Sequence, residues 1–131
     1  MTEMPASDVV EQVSAVAFAP TLERLKQAIA KAGLTVFAEI DHAAGARDVG
    51  LAMPPTVVLL YGNPKGGTPI MQAAPRSALD LPLRVLVRED PDGRVIVSFH
   101  PAAAMLRQAG VPEALAMRLD PAQRLLIEAI R

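Results

Sequence analysis

Apolar and polar residues alternate in period two over several stretches of the chain and recur at helical spacing over others, and this pattern predicts the order of its elements. Residues 9–18 carry Val9, Val10, Val13, Val16 and Phe18 among polar neighbours, the mark of a half-buried strand. A helix opens at Pro20 or Thr21, Pro as a first-turn residue or Thr as a cap. Leu22, Leu25, Ile29 and Ala32 follow at helical spacing, and Gly33 is its stop. From Leu34 to Ile40 the alternation returns. Leu34, Val36, Ala38 and Ile40 form a face expected to meet the helix, and Thr35, Phe37 and Glu39 form the other. Asp41 to Met53 reads as a short, glycine-interrupted helix ending before Pro54-Pro55. Thr56 to Tyr61 holds the continuous run Val57-Val58-Leu59-Leu60, which predicts a central strand buried on both faces.

In the second half, Thr68-Pro69 opens a brief helix to about Ala74, where Pro75 stops it. Leu83, Val85 and Val87 alternate with Arg84, Leu86 and Arg88. The turn Asp90-Pro91-Asp92-Gly93 follows, and Val95, Val97 and Phe99 alternate again, which predicts a β-hairpin. Pro101 opens a helix to Ala109 with Gly110 as its stop. The last helix takes Asp120 as cap, Pro121 as first residue and Gln123 as the capping-box partner, with Leu125, Leu126, Ala129 and Ile130 as its apolar stripe. Neither a repeat nor a linker interrupts this series, so one domain over residues 1–131 is expected. Strands joined by a tight turn without regular βαβ alternation favour an antiparallel α+β sheet with helices on one face.

Composition narrows the partners. The 131 residues are 51% hydrophobic with a formal net charge of −1, which argues against nucleic acid and anionic lipid surfaces. The absence of cysteine removes disulfides, thiolate metal sites and cysteine nucleophiles. Met1-Thr2-Glu3-Met4-Pro5 lacks the basic start of a secretory signal. No uninterrupted apolar stretch approaches the ~20 residues of a membrane span, so a cytoplasmic location without membrane contact is expected.

Candidate chemistry gathers in two places. Gly62-Asn63-Pro64-Lys65-Gly66-Gly67-Thr68 combines flexible glycines, a cation and a helix start, so backbone N–H groups with Lys65 could hold a phosphate or carboxylate. It is not a Walker loop, because Lys65 precedes the glycine pair, and a plain strand-to-helix turn with a solvated lysine is the simpler reading. His42, beside Asp41 at a strand end, could act as a general base, a ligand donor or one metal ligand; the simpler reading is a role in starting the next helix. His42 and His100 have no ligand-spaced partner, so no metal and no cofactor is expected, and His100 suits a capping or surface position. Ser14, Ser77 and Ser98 lack a nucleophile setting, and Asp90 and Asp92 read as turn formers. Arg84 and Arg88 read as a solvated strand face, or with Phe37 and Leu86 as the rim of a subunit contact. A Met-, Leu- and Val-rich interior with four aromatic residues could leave an apolar pocket between helices and sheet.

Ile40-Asp41-His42, Gly50-Leu51-Ala52-Met53-Pro54-Pro55, Tyr61-Gly62-Asn63-Pro64-Lys65-Gly66-Gly67-Thr68 and Asp80-Leu81-Pro82-Leu83-Arg84-Val85-Leu86-Val87 together resemble the family called domain of unknown function 302, over about residues 13–130. The resemblance implies a two-layer α+β fold of the TATA-box-binding-protein-like kind. Its order is strand-helix-four strands-helix, with a mainly antiparallel five-stranded sheet, helices on one face and a tendency to dimerise. DNA binding does not follow from the fold, since the charge opposes it. No activity comes with the family, so His42, Asn63 and Lys65 are carried over as motif positions alone.

The leading expectation is therefore a non-enzymatic, homodimeric binding or accessory domain. Its small anionic or apolar ligand would lie near His42, Asn63, Lys65, Gly66, Gly67 and Thr68. One alternative is a small enzyme with His42 as acid or base, which requires His42 within reach of Asn63 or Lys65. The other is a purely structural interaction module.

Overall fold

In the computed structural model, which describes residues 9–131, the chain starts with strand β1 (Val10–Val13), helix α1 (Phe18–Lys31), strand β2 (Thr35–Asp41) and helix α2 (His42–Asp48). Strand β3 (Thr56–Gly62), helix α3 (Pro64–Ala73) and a 3₁₀ segment (Pro75–Asp80) lead into the hairpin of β4 (Leu83–Glu89) and β5 (Val95–Phe99). Helices α4 (Ala102–Gln108), α5 (Glu113–Ala116) and α6 (Asp120–Ile130) follow, the last two joined by a 3₁₀ turn at Met117–Leu119. The Met1–Pro5 segment lies outside the described residues.

All strand pairs are antiparallel, in the order β1-β5-β4-β3-β2. Val57, Leu59 and Tyr61 of β3, Leu83, Val85 and Val87 of β4, and Val95, Val97 and Phe99 of β5 are buried. They meet Leu25 and Ile29 of α1 and Leu126 and Ile130 of α6 in one core cluster. Each such side chain contributes roughly 1.5–3 kcal/mol by leaving water. A smaller cluster of Ile70, Ala74, Leu106, Val111 and Ala116 joins α3, α4 and α5. Leu81 and Leu119 pack against both clusters and so mark their seam. The two-layer α+β architecture and the hairpin agree with the sequence reading. Pro91 and Gly93 (φ +81°) occupy the turn as expected, with the Gly93 N–H donating to the Asp90 carbonyl at 3.0 Å.

Several local expectations are corrected. The first strand stops at Val13, because Phe18 already opens α1 and leaves Pro20 in the first turn, where its missing N–H costs nothing. Thr21 is no cap: it is buried inside α1, donates to the Ala17 carbonyl (2.8 Å) and shares a hydrogen bond with Ser14 (2.7 Å). In β2 a bulge between Val36 and Ala38 resets the alternation. Val36 pairs with Tyr61 on the helix side, but beyond the bulge Glu39 pairs with Leu59 there and joins Lys26 of α1 in an ion pair, while Ala38 and Ile40 turn to the opposite side with Leu60 and Val58. Helix α2 ends at Asp48, short of Met53. Strand β3 is interior, but β4 is the middle strand. Helices cover only one face of β3, so Val58 and Leu60 are half-buried where burial on both faces was expected.

The last helix also differs. The 3₁₀ turn runs straight into α6, so Asp120 needs no capping role and instead pairs with Arg124 at 2.8 Å. Gln123 is buried and serves a different helix: it accepts from the Ala102 N–H at the start of α4 (2.9 Å) and donates to the His100 carbonyl (2.9 Å). The apolar stripe of α6 is Leu126, Ile127, Ala129 and Ile130, and Leu125 is exposed.

Candidate functional site

Strand β3 delivers the chain to Asn63, whose side chain fixes the next turn. Its Oδ1 accepts from the Lys65 N–H (2.9 Å), and its Nδ2 donates to the carbonyl of Gly33 after α1 (3.1 Å). Pro64 is the first residue of α3, a position that suits a residue without an N–H. The helix thus begins four residues earlier than the Thr68 start expected from the sequence. Asn63 followed by Pro64 is a cap-and-first-residue pair that local sequence rules can identify.

This geometry changes what the segment can bind. The Lys65 N–H is taken by the Asn63 side chain, and the Gly66 and Gly67 N–H groups donate to the Asn63 carbonyl at 3.0 and 2.8 Å. The donors available to an anion in an open glycine loop are therefore engaged within the helix start. Lys65 itself is exposed.

A cavity of about 310 Å³ opens beside this helix start. Leu34 and Phe37 form one side, Tyr61 and Gly62 the end of β3, Met71 and the bare backbone of Gly66 and Gly67 the α3 wall, and Leu81, Leu83 and Leu119 the far side. It therefore lies at the seam that Leu81 and Leu119 mark between the two apolar clusters. A Cβ placed on Gly67 would meet only Leu81 Cδ1 and Met71 Cε, each at 3.9 Å, so the missing side chain is one source of the free volume. Asn63 and Thr68 supply the polar side chains of the lining apart from Tyr61, and no lining residue is charged.

Tyr61 is completely buried, and its hydroxyl has no hydrogen-bond partner. Gln123 lies beside it and spends one lone pair on the Ala102 N–H and one N–H on the His100 carbonyl, which leaves one of each. Burial pushes the phenol well above its usual range, an effect that the neighbouring Gln123 offsets only in part. Tyr61 is therefore a neutral donor at physiological pH. The sequence alone does not single it out, because a tyrosine in an apolar run looks like core.

His42 sits elsewhere. Asp41 pairs with Val57 and Thr35 with Gly62, so His42 and Asn63 lie at opposite ends of the β2–β3 ladder, roughly 20 Å apart at about 3.3 Å per residue. His42 is exposed at the start of α2, and the Asp41 carboxylate caps that helix by accepting from the Ala44 N–H at 2.9 Å. The structure thus brings Asn63, Gly66, Gly67 and Thr68 together around the cavity, keeps Lys65 just outside its lining and separates His42 from all of them. His100 is exposed and contributes its carbonyl to Gln123. Among the described residues no group of three or more His, Asp or Glu side chains is placed to hold a metal ion.

Comparison with known proteins adds the following. The protein named Fluoride-specific ion channel FluC 1 from Brucella suis biovar 1 (strain 1330) is 38% identical over 103 residues, which cover 79% of this chain and 41% of that protein. Fluoride-specific ion channel FluC 1 from Brucella abortus biovar 1 (strain 9-941) is also 38% identical over 103 residues, covering 38% of its length. The chain thus spans about two fifths of the length of these curated relatives. None of the described helices is long and apolar enough to cross a membrane. The crystal structure of an uncharacterized conserved protein DUF302 from Bacillus stearothermophilus superposes with a TM-score of 0.86, covering 96% of this chain and all of that one at 16% identity, a likeness of fold. The family model for Domain of unknown function DUF302 matches residues 10–131, and with the same fold in that crystal structure the chain belongs to this family.

Proposed function

We propose that the chain is a non-enzymatic binding domain that takes a small, uncharged, largely apolar molecule in the cavity beside α3. The observation that carries this reading is the cavity's lining: about 310 Å³ of space walled by Leu, Met, Phe and Pro side chains and glycine backbone, without a charge. Its size falls at the lower end of the range for small-molecule sites, about 300–1,000 Å³. Of the anionic and apolar ligands expected from the sequence, the apolar one fits. An anion would meet no cation in the lining and no unused N–H at the start of α3, and burying an unpaired charge is costly. The same argument sets fluoride aside as the occupant. In the longer channel-named relatives we assign the shared region to an accessory role beside the conducting part, since a pore needs spanning helices or a closed barrel.

α-Methylstyrene is a suitable probe. A ligand of that size, at roughly 0.5 kcal/mol per heavy atom, reaches a Kd on the order of 0.5 mM. Gly67→Leu projects a side chain into the cavity and is expected to weaken binding at least tenfold, and Met71→Trp to do the same from another position on the helix. Saturable binding that is equal in the wild type and in both folded variants contradicts the site.

A second reading concerns assembly. The sheet face away from α1 and α6 carries Ile40, Val58 and Leu86 in one cross-strand row, with Leu60 opposite Arg84 and Ile96 opposite Arg88 in the rows beside it, and a polar corner where Ser98 and Arg88 meet Glu11 (2.9 and 3.7 Å). None of the described helices packs on it. Two copies apposed through this face about a two-fold axis form the homodimer we propose. Light scattering across concentration should give a dimer for the wild type and a monomer for Val58→Glu with unchanged circular dichroism; a wild type that stays monomeric removes this reading.

A further inference from the structure

We propose that Phe37 is the aromatic platform of the cavity, and that the occupant is a neutral molecule carrying one flat aromatic ring. The inference rests on the reading of the cavity as a binding site and names its ligand class. Val36 faces the helices opposite Tyr61, so an unbroken alternation in β2 would turn Phe37 to the outer face of the sheet with Thr35. The bulge leaves Phe37 unpaired between Val36 and Ala38, and its side chain instead lines the cavity beside Leu34 and Tyr61. Re-aiming a side chain is what bulges do next to active sites.

The ring is seated, yet much of it stays free. A Cβ on Gly62 would stand 3.5 Å from Phe37 Cε2, an ordinary contact distance, so the ring rests against the end of β3. The other aromatic residue of the lining, Tyr61, is fully buried, whereas Phe37 keeps 50% of its surface open. Phe37 is therefore the lining aromatic with surface left for a guest, and an aromatic guest gains from it beyond the area covered, through offset-stacked or edge-to-face contact. The α3 wall adds the Met71 thioether, whose sulfur also favours an aromatic neighbour. The lining holds no charged side chain, so a carboxylate or ammonium group on the ring would be unpaired at this depth.

Acetophenone and cyclohexyl methyl ketone share an acetyl group and differ in an aromatic against a saturated ring. Titrating both into the wild type and Phe37→Leu gives a four-way comparison in which differences in ligand hydration cancel. Phe37→Leu should weaken acetophenone roughly two- to tenfold more than the saturated ketone, and Phe37→Tyr, which keeps the ring, should hold acetophenone within about twofold of the wild type. In the wild type, the Phe37 ring protons should show intermolecular NOEs to the acetophenone ring, a readout that needs no variant. Equal weakening of both ketones by Phe37→Leu, a loss with Phe37→Tyr as large as with Phe37→Leu, or no such NOE overturns the platform while the cavity reading stands. Binding of α-methylstyrene without acetophenone also overturns the platform alone. If neither aromatic ligand binds the wild type saturably, the cavity reading fails and the platform with it.

Discussion

Asp90 accepts the N–H groups of Asp92 and Arg94 on one carboxylate oxygen, at 3.0 and 2.9 Å, and Arg94 Nε on the other at 2.8 Å. Burial alone would raise its pKa, but the hydrogen bonds from the Arg94 backbone and guanidinium, the attraction of that charge and the Asp92 N–H outweigh this and hold the carboxyl below its usual range. A carboxyl lowered on folding adds stability above its unfolded pKa and loses it as pH falls through the folded value. Thermal unfolding followed down the acid limb should therefore show Asp90→Asn less stable than wild type at neutral pH, with the two converging once the carboxyl is protonated. A constant gap between the two at every pH would assign the loss to something other than this charge. The Asp90-Pro91-Asp92-Gly93 pattern was legible in the sequence because everything it needs lies within five residues. Gln123 was not: its partners are more than twenty residues away, and its spacing from Asp120 imitates a capping box. Tyr61 was hidden for a related reason, since an unpaired hydroxyl becomes visible only when its neighbours are known.

At the scale of elements, α3 is the least regular helix that touches the site. It carries Gly66 and Gly67 in its first turns and Pro69 within it. Gly66 lies inside the helix, and a methyl group added to its Cα would find no atom within 4 Å. Gly66→Ala should raise stability by roughly 0.5–1 kcal/mol, visible as a higher Tm. A lower Tm would mean that the helix start depends on glycine at this position. Strand and helix types were readable from periodicity, whereas the β2 bulge was not, because Phe37 is an ordinary strand residue and pairing alone reveals the skipped position. The apolar run of β3 suggests burial on both faces. The structure gives it one buried face and one half-buried face, the alternation common in antiparallel sheets. At the start of α3 the glycines suggest a loop, although Asn63-Pro64 already carries a cap and a first helical residue.

For the whole molecule, the proposed function rests on where two apolar clusters meet. The sheet with α1 and α6 forms the larger, and α3, α4 and α5 form the smaller. The cavity lies at the seam, closed by Leu81 and Leu119 and left open by the glycine backbone of α3. The sequence suggested an apolar interior with room for a pocket, and it also suggested that His42 and residues 62–68 form one site; antiparallel pairing of β2 and β3 sets these at opposite ends of a ladder. The most direct test is an amide-resolved NMR titration of the uniformly labelled protein with α-methylstyrene. The account predicts saturable shifts centred on Gly62, Gly66, Gly67, Met71, Leu81 and Leu119, with His42 and its neighbours unmoved. Shifts centred on His42 and α2, or no saturable shift at all, would contradict it.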